Sequence, residues 1–164
     1  MSLDYLFNLI EKSNKIVFFG GAGVSTASGI PDFRSVDGLY SQKYDYPPEM
    51  ILSDTFFYNN TKEFYKFYYD KIINVNAKPN YTHQALAYLE KVGKLSGVIT
   101  QNIDGLHQMA GSKKVLELHG SIYRNYSINT KQFFDLDYII SKEDEGIPMT
   151  KDGELIKPDV VLYG

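Results

Sequence analysis

A short apolar run that stops abruptly on glycines limits this chain more than any other feature in it. Lys15 to Phe19 is β-branched and aromatic, and it ends at Gly20-Gly21-Ala22-Gly23. Such a run reads as a buried strand entering a tight turn. Small residues there let the backbone approach a diphosphate closely, and a helix starting beyond the turn would offer N–H groups and partial positive charge. A plain tight turn has the same composition, so both readings stand at this point. The pattern is not the common G-x-G-x-x-G, because the next glycine, Gly29, follows Gly23 by six residues.

The rest of the chain alternates in the same way. Leu3, Leu6, Phe7 and Ile10 recur at helical spacing and predict a helix over 2–13. Phe57, Phe64, Phe67, Tyr68 and Ile72 predict another over 56–75. Asn80 or Thr82 can cap a third helix running to Lys91, with Gly93 placed to end it. Ser96 to Thr100 and Val115 to Leu118 read as further short strands, and Pro158 to Tyr163 as the last one. Strand, helix, strand alternation implies a parallel α/β sheet. Residues 35–48 read as a long loop, and the polar stretch 127–153 as a small inserted module.

Bulk properties remove several function classes. At 164 residues the chain is about one domain long. A formal charge of −3, with no lysine cluster, predicts no direct nucleic-acid binding. The apolar runs are too short for a bilayer, so no membrane partner is expected. Met1-Ser2-Leu3-Asp4 lacks a signal-peptide pattern, which predicts a cytoplasmic protein. Zero cysteines exclude disulfides, thiolate catalysis and Cys-ligated metal. His83, His107 and His119 are 24 and 12 residues apart, and their spacing implies no metal site. Nothing in the sequence fixes an oligomeric state.

Three further blocks carry chemistry. Ser28-Gly29-Ile30-Pro31-Asp32-Phe33-Arg34-Ser35 sets a carboxylate, a ring and a guanidinium in consecutive positions on a loop stiffened by proline. It reads either as a turn with a surface salt bridge or as a loop laying Phe33 over a flat ring while Arg34 meets phosphate; its nearness to the glycine turn favours the second. Thr100-Gln101-Asn102-Ile103-Asp104-Gly105-Leu106-His107 puts polar groups at the end of a strand, where ligands sit in open α/β sheets. The plainer alternative is that Asn and Asp cap the next helix. Glu117-Leu118-His119-Gly120 places a histidine at another strand end, suited to proton transfer near neutral pH.

In order and spacing, Gly21-Ala22-Gly23-Val24-Ser25, Ser28 to Arg34, Thr100 to His107 and Leu118-His119-Gly120 resemble the signature of the sirtuin (Sir2) family. The resemblance spans nearly the whole chain and about two-thirds of a typical sirtuin domain. It implies a Rossmann-like parallel sheet that is partial, its C-terminal strands absent, with a small inserted module. The implied division is 1–124 with 155–164 as the NAD-binding catalytic domain, and 125–154 as the remnant of a zinc module. It further implies an NAD-dependent protein-lysine deacylase, giving nicotinamide, O-acyl-ADP-ribose and free lysine from an acyl-lysine protein or peptide. An ADP-ribosyltransferase or NAD glycohydrolase, and a truncated non-catalytic fragment, are the alternatives.

Carried onto this sequence, the resemblance implies that Ala22, Gly23 and Thr26 line the diphosphate and ribose. Phe33 would shield the reacting sugar carbon. Arg34, Gln101 and Asn102 would bind cofactor, and Ile103 with Asp104 would hold the nicotinamide carboxamide. His119, with Asn102, would be catalytic, His119 as general base toward a ribose hydroxyl. Val160 and Val161 would add the substrate peptide as a strand. Tyr65 and Tyr68 stand where acid-selective sirtuins carry a Tyr-x-x-Arg pair, so they are expected at the substrate, and neutral acyl groups are expected. The family's two C-x-x-C pairs align with Ser127 and Thr130, and with Thr150 and Gly153. Hydroxyls and a glycine cannot hold structural zinc, so zinc is expected to be absent, with Tyr126, Phe133, Phe134, Leu136, Tyr138, Ile139 and Ile140 packing the module instead.

Overall fold

The structure is a computed structural model describing residues 2–32, 38 and 45–164. In chain order the helices are α1 (Leu3–Lys12), α2 (Pro48–Ile51), α3 (Asp54–Asn59), α4 (Thr61–Phe67), α5 (Tyr81–Lys91), α6 (Leu106–Met109) and α7 (Leu136–Ile140). The strands are β1 (Ile16–Gly20), β2 (Leu95–Thr100), β3 (Val115–Glu117), β4 (Gly120–Ser127), β5 (Phe133–Phe134) and β6 (Ile156–Val160). Two compact units result: Met1–Ile30 with Ala77–Leu118, and Pro31–Asn76 with His119–Gly164.

The first unit is the parallel α/β sheet that the alternation predicted, in strand order β1-β2-β3. Its core joins Leu86 of α5 to Leu95 and Val98 of β2, with Ile16, Phe18, Leu89 and Val115 packed around them. Alternation along β1 sends Val17 and Phe19 to the opposite face, where they are 58% and 61% exposed. Ser2 caps α1 by accepting the Tyr5 N–H. The far end of α1 is held by Lys94, whose ammonium donates to the carbonyls of Ile10, Glu11 and Ser13. A cation on the last carbonyls suits both the open acceptors and the helix dipole. The periodicity of α1 is real, yet none of its residues is buried.

The third predicted helix forms as α5. Asn80 accepts the Thr82 N–H, and the Asn80 N–H is accepted by Nδ1 of His83, so the two side chains close the helix start reciprocally. Gly93 ends it with φ +78°, a left-handed conformation that glycine adopts without strain.

In the second unit the helix predicted over 56–75 is broken. Ser53 caps α3, Asn60 leaves helical geometry at φ −136°, and α4 restarts and runs into a π turn over Tyr68–Ile72. Phe57, Phe64, Tyr65 and Tyr68 pack edge to face or stacked, with ring centroids 4.9–6.1 Å apart, and form an aromatic core. The last strand begins at Ile156, earlier than the predicted Pro158, and it joins an antiparallel sheet ordered β5-β4-β6. Tyr69 reaches this region by donating to the Ile139 carbonyl at 3.0 Å. Leu136 and Ile139 of α7 are buried as their spacing predicted, whereas Phe133 is half exposed. Among the described residues no helix is long and apolar enough to cross a membrane.

Candidate functional site

At the carboxyl ends of β1 and β2 the two strand-end motifs are tied together by one side chain that the sequence motifs did not single out. Past β1 the chain makes two 3₁₀ turns, Ala22–Val24 and Thr26–Ser28. Between them Ser25 is only 1% exposed. Its hydroxyl donates to Oδ2 of Asp104 at 2.6 Å and accepts from the amide of Asn102 at 3.0 Å. Asp104 Oδ1 accepts the Leu106 N–H at 2.9 Å, and Thr100 Oγ1 accepts the Asn102 N–H at 3.0 Å. Asp104 and Asn102 therefore brace the β2–α6 turn, in which Gly105 and not a side chain caps the helix, and they bind the glycine turn in doing so. Two of the four or so lone-pair directions of the Asp104 carboxylate are committed by these bonds.

A second brace comes from Asn80. Its amide donates to the Val24 carbonyl at 2.8 Å and to the Ser28 hydroxyl at 2.9 Å. The only sequence signal for Ser25 was its position directly after the glycine turn, and Asn80 was legible only as a cap.

Behind this surface lie two buried histidines, His83 and His107, with ring centroids 4.7 Å apart and Phe18 against His107 at 5.8 Å. Nδ1 of His83 accepts a hydrogen bond, so its proton resides on Nε2. Burial lowers the pKa of both rings; for His107 the neighbouring His83 lowers it further, while Asp104 opposes the shift in each. Both are neutral at pH 7. Neither Nε2 of His83 nor either nitrogen of His107 has a hydrogen-bond partner among the described residues.

The remaining expected cofactor residues sit around this network. Ala22 and Ile103 are half-buried, while Gly23, Thr26 and Gln101 are exposed. A Cβ on Gly23 would meet no atom within 4 Å, so that backbone faces open space. A Cβ on Gly21 would lie 3.0 Å from Oε1 of the exposed Gln101 side chain, so the two strand ends approach closely here. Thr26 donates to the Gly23 carbonyl at 3.1 Å. Small residues, an open backbone and a half-committed carboxylate lie together at this strand end. Phe33 and Arg34 lie outside the described residues.

In the second unit His119 is exposed in the turn before β4. Its carbonyl accepts the Val161 N–H at 3.0 Å, and Gly120 pairs with Val160. Gly120 has φ +79°, and a Cβ there would lie 1.8 Å from the Asp159 carbonyl oxygen, so only glycine lets β6 come this close. His119, Val160 and Val161 therefore share the end of one antiparallel pair, with Val161 largely exposed.

Tyr65 and Tyr68 depart from expectation. They are 0% and 1% exposed, within the aromatic core and away from any open surface. The Tyr65 hydroxyl donates to the Ile156 carbonyl at 2.5 Å, and burial pushes its ionisation well above the ordinary phenol range. An i, i+3 pair on an aromatic helix reads the same whether it faces a ligand or a core.

A parallel sheet with a glycine turn after its first strand and a polar network at the strands' carboxyl ends defines a Rossmann-like α/β protein. A family profile described as "Sir2 family" matches residues 21–164. The chain belongs to the Sir2 family. It is 55% identical over 163 residues to a protein of Clostridium acetobutylicum named NAD-dependent protein deacetylase, covering 98% of this chain and 66% of that protein. A Clostridium tetani protein of the same name is 56% identical, covering 96% and 65%. Among solved structures, one titled as Sir2 with a p53 peptide and NAD+ is 41% identical with a TM-score of 0.86, covering 100% of this chain and 65% of that one. Another, a Sir2 bound to a propionylated peptide, is 40% identical with a TM-score of 0.84. The chain thus spans about two-thirds or slightly less of the length of these relatives.

Proposed function

We propose that the protein to which this chain belongs is an NAD-dependent protein-lysine deacylase, acting on acyl-lysine in a protein or peptide. The products are nicotinamide, O-acyl-ADP-ribose and free lysine. The observation that carries this reading is the Ser25–Asp104–Asn102 network. It locks the glycine turn to the β2 strand end, in a family whose relatives are named for this activity.

NAD supplies the electrophilic ribose carbon, and the chain's own residues do the rest. Ala22, Gly23 and Thr26 line the diphosphate and ribose, and Gln101 and Asn102 hold the cofactor, with Phe33 and Arg34 assigned by resemblance alone. Ser25 fixes the Asp104 carboxylate in place, and its uncommitted lone pairs, with Ile103 beside them, receive the nicotinamide carboxamide. The exposed imidazole of His119 would take a proton from a ribose hydroxyl, and Asn102 is assigned a catalytic role by resemblance alone. Val160 and Val161 add the peptide as a strand beside the His119 turn, where the Val161 side chain is open.

A neutral acyl group such as acetyl is supported by the name of the relatives alone, because Tyr68 lies in the aromatic core. The reading places 1–124 with 155–164 in the catalytic domain and 125–154 in the former zinc module, and takes that module to be free of zinc. An NAD requirement also supports a cytoplasmic setting. Incubating the full-length protein with NAD and an acetyl-lysine peptide tests the activity by mass spectrometry. Free lysine peptide with O-acetyl-ADP-ribose is expected; ADP-ribose alone, or ADP-ribosylated protein, would refute it.

A further inference from the structure

The family resemblance implies a metal between two turns, and the residues at those positions are arranged for the opposite charge. Around the first turn, the N–H groups of Asn129 and Thr130 both donate to Oε1 of Glu154, the latter at 2.8 Å. The Thr130 hydroxyl donates to Oε2 of the same carboxylate at 2.8 Å. Ser127 Oγ lies 2.5 Å from Thr130 Oγ1. The Thr130 proton is already committed to Glu154, so Ser127 is the donor of that bond. Ser127 in turn accepts the Gln132 N–H at 3.0 Å. Protons therefore point one way, from Gln132 through Ser127 and Thr130 to the carboxylate, and each bond polarises the next. Lys131 closes this turn in the left-handed region at φ 58°.

The second turn holds Glu154 by its main chain. The Glu154 N–H donates to Thr150 Oγ1 at 3.0 Å, the Thr150 N–H donates to the Glu154 carbonyl at 2.8 Å, and the Gly153 N–H donates to the Thr150 carbonyl at 3.0 Å. One residue thus joins both turns, its backbone in the second and its side chain in the first.

Structural zinc needs about four thiolate or imidazole donors with lone pairs aimed inward. Here N–H and O–H protons converge instead, so a cation at this point would meet like-signed dipoles. The residues do not fit zinc. Burial raises the Glu154 carboxyl, but the Thr130 N–H and hydroxyl, the Asn129 N–H and the Ser127 hydroxyl outweigh it and hold it below its ordinary value.

We propose that the Glu154 carboxylate stands in for the metal, as a charge-reversed clamp that joins the 127–130 turn to the 150–154 turn. This rests on the zinc-free reading above and adds to it the group that replaces the ion. It makes the assembly of the module independent of metal supply.

The test uses the full-length protein. Metal analysis and melting with and without EDTA examine the zinc-free reading. Hydrogen exchange at the Asn129 and Thr130 amides, in the wild type, Glu154→Gln and Ser127→Ala, examines the clamp. The expected results are no stoichiometric zinc, melting unmoved by EDTA, and exchange at both amides faster by about tenfold or more in Glu154→Gln, as loss of a charge-assisted bond implies. Ser127→Ala, which removes only the outer donor of the chain, should speed the same amides less. It keeps the idea falsifiable if Glu154→Gln does not fold. One equivalent of zinc, or melting sensitive to EDTA, overturns both readings. A zinc-free protein whose two amides exchange at wild-type rates in either folded variant overturns the clamp alone.

Discussion

Ser25→Ala removes two bonds at one buried position. The hydroxyl's bond to the Asp104 carboxylate is 2.6 Å long and charge-assisted, a type worth about 1.5–3 kcal/mol. Its loss also strips the Asn102 amide of its Ser25 acceptor, at about 1 kcal/mol or less because Asn102 is half-buried and water reaches it. The sum is roughly 2–4 kcal/mol, which for a protein of this size corresponds to a melting temperature lower by about 4–16 °C. The network also orients the carboxylate proposed to receive the carboxamide, so NAD affinity should fall together with stability. Differential scanning calorimetry and isothermal titration with NAD measure both quantities. Combining Ser25→Ala with Asp104→Asn completes a double-mutant cycle, in which a coupling of about 1–3 kcal/mol is expected for groups in direct contact. A variant melting within about a degree of wild type, with unchanged NAD affinity and no coupling to Asp104, would show that the two motifs are not held by this bond.

His119→Ala should abolish deacylation with no change in melting, because the imidazole is exposed; retained turnover removes it from the reaction. Gly120→Ala forces a side chain into positive φ and onto the Asp159 carbonyl, and should cost on the order of 3 kcal/mol or more, read as loss of the β4–β6 pairing in hydrogen exchange. His83 and His107 have pKa values lowered by burial, so the folded state binds fewer protons than the unfolded chain. Stability is therefore fully present above the ordinary histidine value of about 6.5 and is lost as pH falls from there through the folded values. Melting followed from pH 8 to 5 should drop in that window, and a flat profile would contradict the assignment of two neutral rings.

How far the sequence reached depended on whether a feature was local. Lys15 to Phe19 became β1, Asn80 to Lys91 became α5, and Ser96 to Thr100 and Val115 to Leu118 became β2 and β3 to within a residue at each end. Each is set by its own alternation, cap or stop. The long helix over 56–75 failed because apolar periodicity carries no information about interruption. Ser53 and Asn60 restart the helix through their own backbone geometry, and the aromatic rings that suggested one face instead fill a core from two short segments. β4 escaped notice because its buried positions include polar residues. Asn125 and Ser127 face inward: the Asn125 amide donates to the Ile122 and Phe134 carbonyls and the Ser127 hydroxyl accepts the Gln132 N–H, backbone partners that no alternation pattern reveals.

The strand broken off by glycines predicted a buried strand with a small-residue turn at its end, and the strand, helix, strand alternation predicted the parallel α/β sheet, because strand period, helix period and glycine's steric freedom are properties of residues near one another in the chain. The absence of cysteine likewise ruled out a thiolate site from composition alone. Only the tertiary structure decided that Ser25 joins Asp104 and Asn102 across 79 and 77 residues, that Tyr65 and Tyr68 are core, and that Glu154 gathers the donors of a distant turn. Hydrogen bonds between remote segments depend on how sheets and turns bring those segments together, and a linear pattern does not record that.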